Sequence, residues 1–117
     1  MPVRREPEDV TPLPSASFHV LLALVDRPRH GYAVMQEVER LSDGAVRMGP
    51  GTVYTTIKRL LDGGLIEEVQ GPDPADPRRR SYRATALGER VCRAEVHRLA
   101  GLIQRSVLGR LAPGFEV

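Results

Sequence analysis

The stretch from Thr85 to Leu111 contains no proline, and a helix tolerates the glycine at its centre, Gly101. It reads as one helix, capped by Thr85. At about 1.5 Å per residue that helix is roughly 40 Å long. A chain of 117 residues has room for a single domain, on which such a helix cannot be hidden. At 100° per residue Cys92, Val96, Leu99, Ile103 and Val107 fall on one stripe. Leu87 and Val91 fall on another sector and can seat the helix on its own domain. A second apolar seam calls for a partner, and a second copy of the chain carries the same seam. The expected assembly is a homodimer. The alternative is a seam folded back onto the first helix of its own chain.

Upstream, proline and glycine cut the chain into short pieces. Residues 1–14 hold four prolines among charges and no apolar periodicity, which predicts a disordered N-terminal arm. Ser15 or Ser17 can cap a first helix carrying Phe18, Leu21, Leu22 and Val25, ending near Asp26 because Pro28 follows. A second helix follows His30-Gly31, with Tyr32, Met35, Val38 and Leu41 at three-residue spacing, and stops at Ser42-Asp43-Gly44. Thr52 is a natural cap for a third helix, which Asp62-Gly63-Gly64 ends. Strand-like pieces cover Leu65–Gln70 and Arg79–Thr85, around a proline-rich loop. The order is helix, helix, helix, hairpin, long helix. The predicted class is mainly α with a small β-hairpin: an arm over 1–14, a domain over 15–85, a C-terminal helix over 86–111 and a tail over 112–117.

Composition narrows the classes. Two Phe, three Tyr and no Trp leave the core to Leu, Val, Ile and Met. The longest apolar run, Val20 to Val25, is far short of the about 20 residues that span a membrane. The first 30 residues lack the pattern of a secretory signal. One cysteine excludes an intramolecular disulfide and a cysteine-based zinc site, and fits a reducing cytoplasm. Residues 1–46 carry 5 basic and 7 acidic side chains, residues 47–83 carry 7 and 5, and residues 84–111 carry 5 and 2. Positive charge gathers in the second half, where a polyanion would dock. Because 16 of the 17 basic residues are Arg, no single Arg argues for function.

On the third helix Val53, Ile57, Leu60 and Leu61 share one face. Thr55, Lys58, Arg59 and Asp62 share the opposite one, with Tyr54 on a flank. Hydroxyls and cations facing outward suit the major groove, although a solvated helix face has the same pattern. Arg78, Arg79 and Arg80 follow the hairpin tip, with Arg83 further along the strand. That is the makeup of a wing that tracks phosphate, weakened by Asp73 and Asp76. An edge strand kept soluble by Arg is the plainer reading.

Four motifs then stand in order: His30-Gly31-Tyr32, Gly51-Thr52-Val53-Tyr54-Thr55-Thr56-Ile57-Lys58-Arg59-Leu60, Gly64-Leu65-Ile66, and Arg80-Ser81-Tyr82-Arg83-Ala84-Thr85-Ala86-Leu87-Gly88. Over about residues 16–105 the chain resembles the PadR family of bacterial transcriptional regulators, in its short subgroup with a single C-terminal helix. The resemblance implies a winged helix-turn-helix, dimeric through its C-terminal helix, that binds a palindromic operator. By position Thr52, Tyr54, Thr55, Lys58 and Arg59 match the recognition helix, and Arg79 and Arg80 match the wing. Thr55 stands where the family usually has Pro, and Ala84 where it commonly has Leu. The resemblance also implies a small-molecule effector held between protomers, whose lining here would be Phe18, Leu22, Val96, Leu99 and Ile103.

Nothing in the sequence supports catalysis. No nucleophile-base ordering, phosphate-cradling loop or apolar carboxylate pair is present, and no cofactor is implied. His19, His30 and His97 lack metal-ligand spacing, and His30 suits a cap of the second helix. Cys92, on the seam, reads as a buried structural thiol in preference to a redox sensor. The expected protein is a cytoplasmic DNA-binding repressor without enzymatic activity. The rival from another class is a winged-helix module that docks on a protein.

Overall fold

A computed structural model describes residues 6–69 and 80–111. The helices are α1 (Pro7–Val10), α2 (Ser15–Leu24), α3 (Gly31–Leu41), α4 (Pro50–Asp62), α5 (Ala86–Arg105) and α6 (Val107–Leu111). The strands are β1 (Arg29–His30), β2 (Ile66–Val69) and β3 (Ser81–Ala84). They form an antiparallel sheet in the order β1-β3-β2. The predicted mainly α class with a small hairpin is what the chain adopts.

α2 sits at the centre, packed on α3, α4, α5 and β3. A helix covered on several sides needs apolar residues around most of its circumference, and Val20, Leu21, Ala23 and Leu24 are all buried. Val34 and Val38 of α3, Val53, Ile57 and Leu60 of α4, and Val91 and Cys92 of α5 close around it. His30 caps α3 as expected, its Nδ1 accepting from the Ala33 N–H at 3.2 Å.

Several boundaries differ from the sequence expectations. α2 starts after Pro14, so neither Ser15 nor Ser17 is its cap. α4 starts at Pro50 with Gly49 as cap, which puts Thr52 inside the first turn. Proline is favoured at the first helical position, where its missing N–H has no partner to lose. Strand β1 has only two residues, too short for an alternating pattern to reveal. The long final helix is broken. Ser106 adopts extended angles, donates its hydroxyl to Ile103 O (2.6 Å) and accepts from the Gly109 N–H (3.0 Å). Serine competes in this way with the helical ladder, and α5 is left with 20 residues, about 30 Å.

The disordered arm expected over 1–14 is corrected for residues 6–14. Pro7 opens a helical turn whose Glu6 N–H donates to Asp9 (3.2 Å). Val10 and Leu13 then pack against the core. The Leu13 N–H donates to Glu95 Oε2 on α5 at 2.8 Å. Glu95 is only 2% exposed and also takes Arg98 at 2.6 Å. The Arg98 hydrogen bonds, with that of the Leu13 amide, hold its carboxyl below the usual carboxylate range. A carboxyl depressed in the folded state stabilises fully above its unfolded value, about pH 4.3, and loses that contribution as pH falls through the folded value. Glu95→Ala should therefore cost about 1–3 kcal/mol and blunt the acid sensitivity of the melt. It should also speed exchange of the Leu13 amide; protection equal to wild type would refute the tie.

Candidate nucleic-acid interface

Helix α4 divides as its periodicity requires. Val53, Thr56, Ile57 and Leu60 are buried, while Thr52, Tyr54, Thr55, Lys58 and Arg59 are exposed. Thr56 is inward, and its hydroxyl is satisfied by Thr52 O at 2.7 Å. The outward cations are available. Lys58 meets Asp62 at 3.3 Å with both side chains exposed, a pair worth less than about 1 kcal/mol. Arg59 has no ion-pair partner among the described residues.

Tyr54 joins this helix to its neighbours. A side chain at Gly31 would meet the Tyr54 hydroxyl at 2.6 Å, so the ring lies across the first turn of α3 because that position is glycine. His30, one residue earlier, pairs with Ser81 of β3, and Arg29 pairs with Tyr82. Tyr82 is buried, and burial, with Glu68 nearby, pushes its phenol up. Arg29 is itself held inside. Its Nε donates to Ala23 O at 2.8 Å and its terminal nitrogen meets Asp26 and Glu37 at 3.1 and 3.4 Å. Residues 29–31 thus carry a sheet strand, the end of α2, the start of α3 and the seat of Tyr54. The sequence marked His30-Gly31-Tyr32 as a motif and His30 as a cap; the pairing with β3 and the seat of Tyr54 escaped because those partners are distant in the chain.

Two arginines of the hairpin face carboxylates. Arg83 is tied to Glu67 across the strands at 2.6 Å, and Arg80 reaches Glu68 at 3.5 Å. Arg78, Arg79 and the loop between the strands lie outside the described residues. Of the two predicted wing residues, Arg80 is exposed beside the sheet.

Gly88 and Thr85 clamp the hairpin to α5. Thr85 caps that helix by accepting from the Gly88 N–H (3.0 Å), donates its hydroxyl to Gly64 O (2.7 Å) and its N–H to Leu65 O (3.0 Å). Gly64 has φ +74°, the left-handed region that glycine enters without penalty.

The predicted seam on the last helix divides. Val96 and Leu99 are half-buried, and Ile103 and Val107 are 37% and 61% exposed. Cys92 is removed from the partner-facing set because it belongs to the chain's own core, where burial pushes its thiol up to about 11. At neutral pH it is a protonated, poorly nucleophilic thiol. Val107 stands beyond the break at Ser106, where the helix that would carry the stripe has ended. Leu102, Leu108 and Leu111, outside the predicted stripe, are more exposed than Ile103. The predicted effector lining divides too. Leu22 and Val96 meet in a groove of about 440 Å³ between α2 and α5, with Val25 and Cys92. Asp26, Glu89, Arg93 and His97 complete its lining. Phe18 and Leu99 are not part of that lining.

Residues 20–94 match the family described as the transcriptional regulator PadR-like family. The chain is 38% identical over 93 residues to a transcriptional regulator of Mycobacterium tuberculosis, covering 79% of this chain and 81% of that one. It is 33% identical over 90 residues to an uncharacterized 37.1 kDa protein in a Streptomyces fradiae transposon. That match covers 77% of this chain, which spans only 24% of the relative's length. Among solved structures, RosR of H. salinarum superposes with TM-score 0.68 at 20% identity, over 88% of each chain. A PadR-like transcription factor from Bacteroides fragilis superposes with TM-score 0.65 at 20% identity, over 82% of this chain and 88% of that one. At such identity they speak for the fold, a helix-turn-helix with a β wing.

Proposed function

Because the chain belongs to the PadR-like family of transcriptional regulators, we propose that it is a repressor which binds a palindromic operator as a homodimer and is released by a small-molecule effector. Membership carries regulation through DNA binding and no enzymatic chemistry. The observation that supports the finer reading is the outward face of α4, where Thr55, Lys58 and Arg59 are exposed and Arg59 has no ion-pair partner among the described residues. Thr meets a base edge or a thymine methyl, and Lys or Arg meets guanine or phosphate. The plainer alternatives, a solvated face or a protein-docking module, do not require a cation on that face without an ion-pair partner among the described residues.

Duplexes selected from a random pool provide the probe. Lys58→Ala and Arg59→Ala should each weaken the selected duplex by about 1–3 kcal/mol and relax its sequence preference, with the melting temperature unchanged. Arg80→Ala should weaken selected and random duplexes alike, and reduce the slope of affinity against salt by up to about 0.9. Unchanged affinity in both α4 variants would remove the helix from the interface.

The homodimer is supported by the uncovered Leu102, Ile103, Val107, Leu108 and Leu111 at one end of the chain. The groove between α2 and α5 is where an effector would sit, with an apolar floor of Leu22, Val25, Cys92 and Val96 and no Phe, Tyr or Trp in its lining. Such a lining suits a compact molecule that is apolar on one side and polar towards Asp26, Glu89, Arg93 and His97. Calorimetry should accordingly find no submicromolar binding of large planar cations.

A further inference from the structure

A second exposed tyrosine follows the glycine that seats Tyr54. Tyr32, the second residue of α3, is 61% exposed, and Tyr54 is 47% exposed. Gly31 lies between them: the Tyr54 ring crosses it, and Tyr32 follows it directly in the chain. Neither phenol hydroxyl is hydrogen bonded to another described residue. These are the large apolar side chains that the helix-turn-helix leaves uncovered at the start of α3. The carboxylates of that helix, Glu37 and Glu39, stand more than one turn further along and are turned to Arg29, Arg40 and Arg47. The first turn therefore presents hydroxyls, with no carboxylate there to repel a polyanion.

Resting on the reading of α4 as the DNA-facing helix, we propose that Tyr32 contacts the DNA backbone, and that with Tyr54 it forms an uncharged clamp on a phosphate. A phenol fits this role because it donates one hydrogen bond to a phosphate oxygen while its ring packs against the sugar. Gly31 sets the spacing of the clamp, since any side chain there would push the Tyr54 ring away. The contact differs in kind from those of Lys58, Arg59 and Arg80. A neutral donor neutralises no phosphate and so releases no counterion.

Salt dependence consequently separates the two kinds of contact. Tyr32→Phe keeps the exposed ring and should leave the melting temperature where it was. Its affinity should fall by roughly three- to tenfold per bound chain, the size of one hydrogen bond. The loss should be equal on a duplex selected from a random pool and on random duplex of the same length. The slope of log affinity against log salt should not change. Unchanged affinity, a loss confined to the selected duplex, or a shallower slope would each overturn the clamp. Arg59→Ala, measured alongside, distinguishes the failures. If it weakens binding and Tyr32→Phe does not, the clamp alone is wrong; if both are silent, the α4 interface falls and the clamp falls with it.

Discussion

Gly88→Ala should leave little folded protein at physiological temperature. The glycine lies in the first turn of α5, where an added Cβ would overlap the carbonyl oxygen of Leu65. That carbonyl cannot retreat, because it accepts the Thr85 N–H at 3.0 Å and belongs to the turn that starts the hairpin. Relief would require α5 to lift away from the strands, breaking the Thr85 cap and exposing Val91. A clash with backbone in a closed setting should cost at least about 3 kcal/mol, a large part of a small domain's total stability. Gly51→Ala is the control, since a Cβ there meets nothing within 4 Å. It should be neutral or stabilise by up to about 1 kcal/mol. A Gly88→Ala melt matching wild type would show that α5 is not seated on this carbonyl.

The second large effect is expected at the other end of the same helix. Ile103→Glu combined with Val107→Glu should convert the proposed dimer into monomers. Both side chains are exposed in the single chain, so the substitutions should not disturb folding. In an assembly joined through this end each carboxylate would be desolvated, and near a two-fold axis it would face its own copy. Roughly 3 kcal/mol of lost association would raise the dimer dissociation constant over a hundredfold. Sedimentation should show half the wild-type mass with an unchanged circular dichroism spectrum. An unchanged mass would move the interface away from α5 and α6.

These predictions draw unequally on the sequence. The buried and exposed faces of α4 were legible because a 3.6-residue period acts locally, and burial followed it at Val53, Ile57 and Leu60. The capping of α3 by His30 and of α5 by Thr85 was legible for the same reason. What escaped depended on partners distant in the chain. The docked arm depends on Glu95, which lies 82 residues from Leu13. The pairing of Arg83 and Arg80 with Glu67 and Glu68 depends on a strand register that joins residues well apart in the chain. Cys92 fell on an apolar stripe, but a stripe does not say which part faces the chain's own core. The break at Ser106 is the exception. A serine three residues before a glycine is a local signal, and here it outweighed the helical propensity around it.

Those strand-to-strand pairs also bear on how a regulator finds its site. A genome presents millions of non-specific duplex segments, and a protein's hold on them grows with each phosphate that a free cation neutralises. On the proposed reading, Arg83 and Arg80 arrive at DNA already facing Glu67 and Glu68, so each trades a carboxylate for a phosphate when it docks. In that reading discrimination rests on the α4 face, and Glu67 and Glu68 lessen what these two arginines add to the hold on irrelevant sequence.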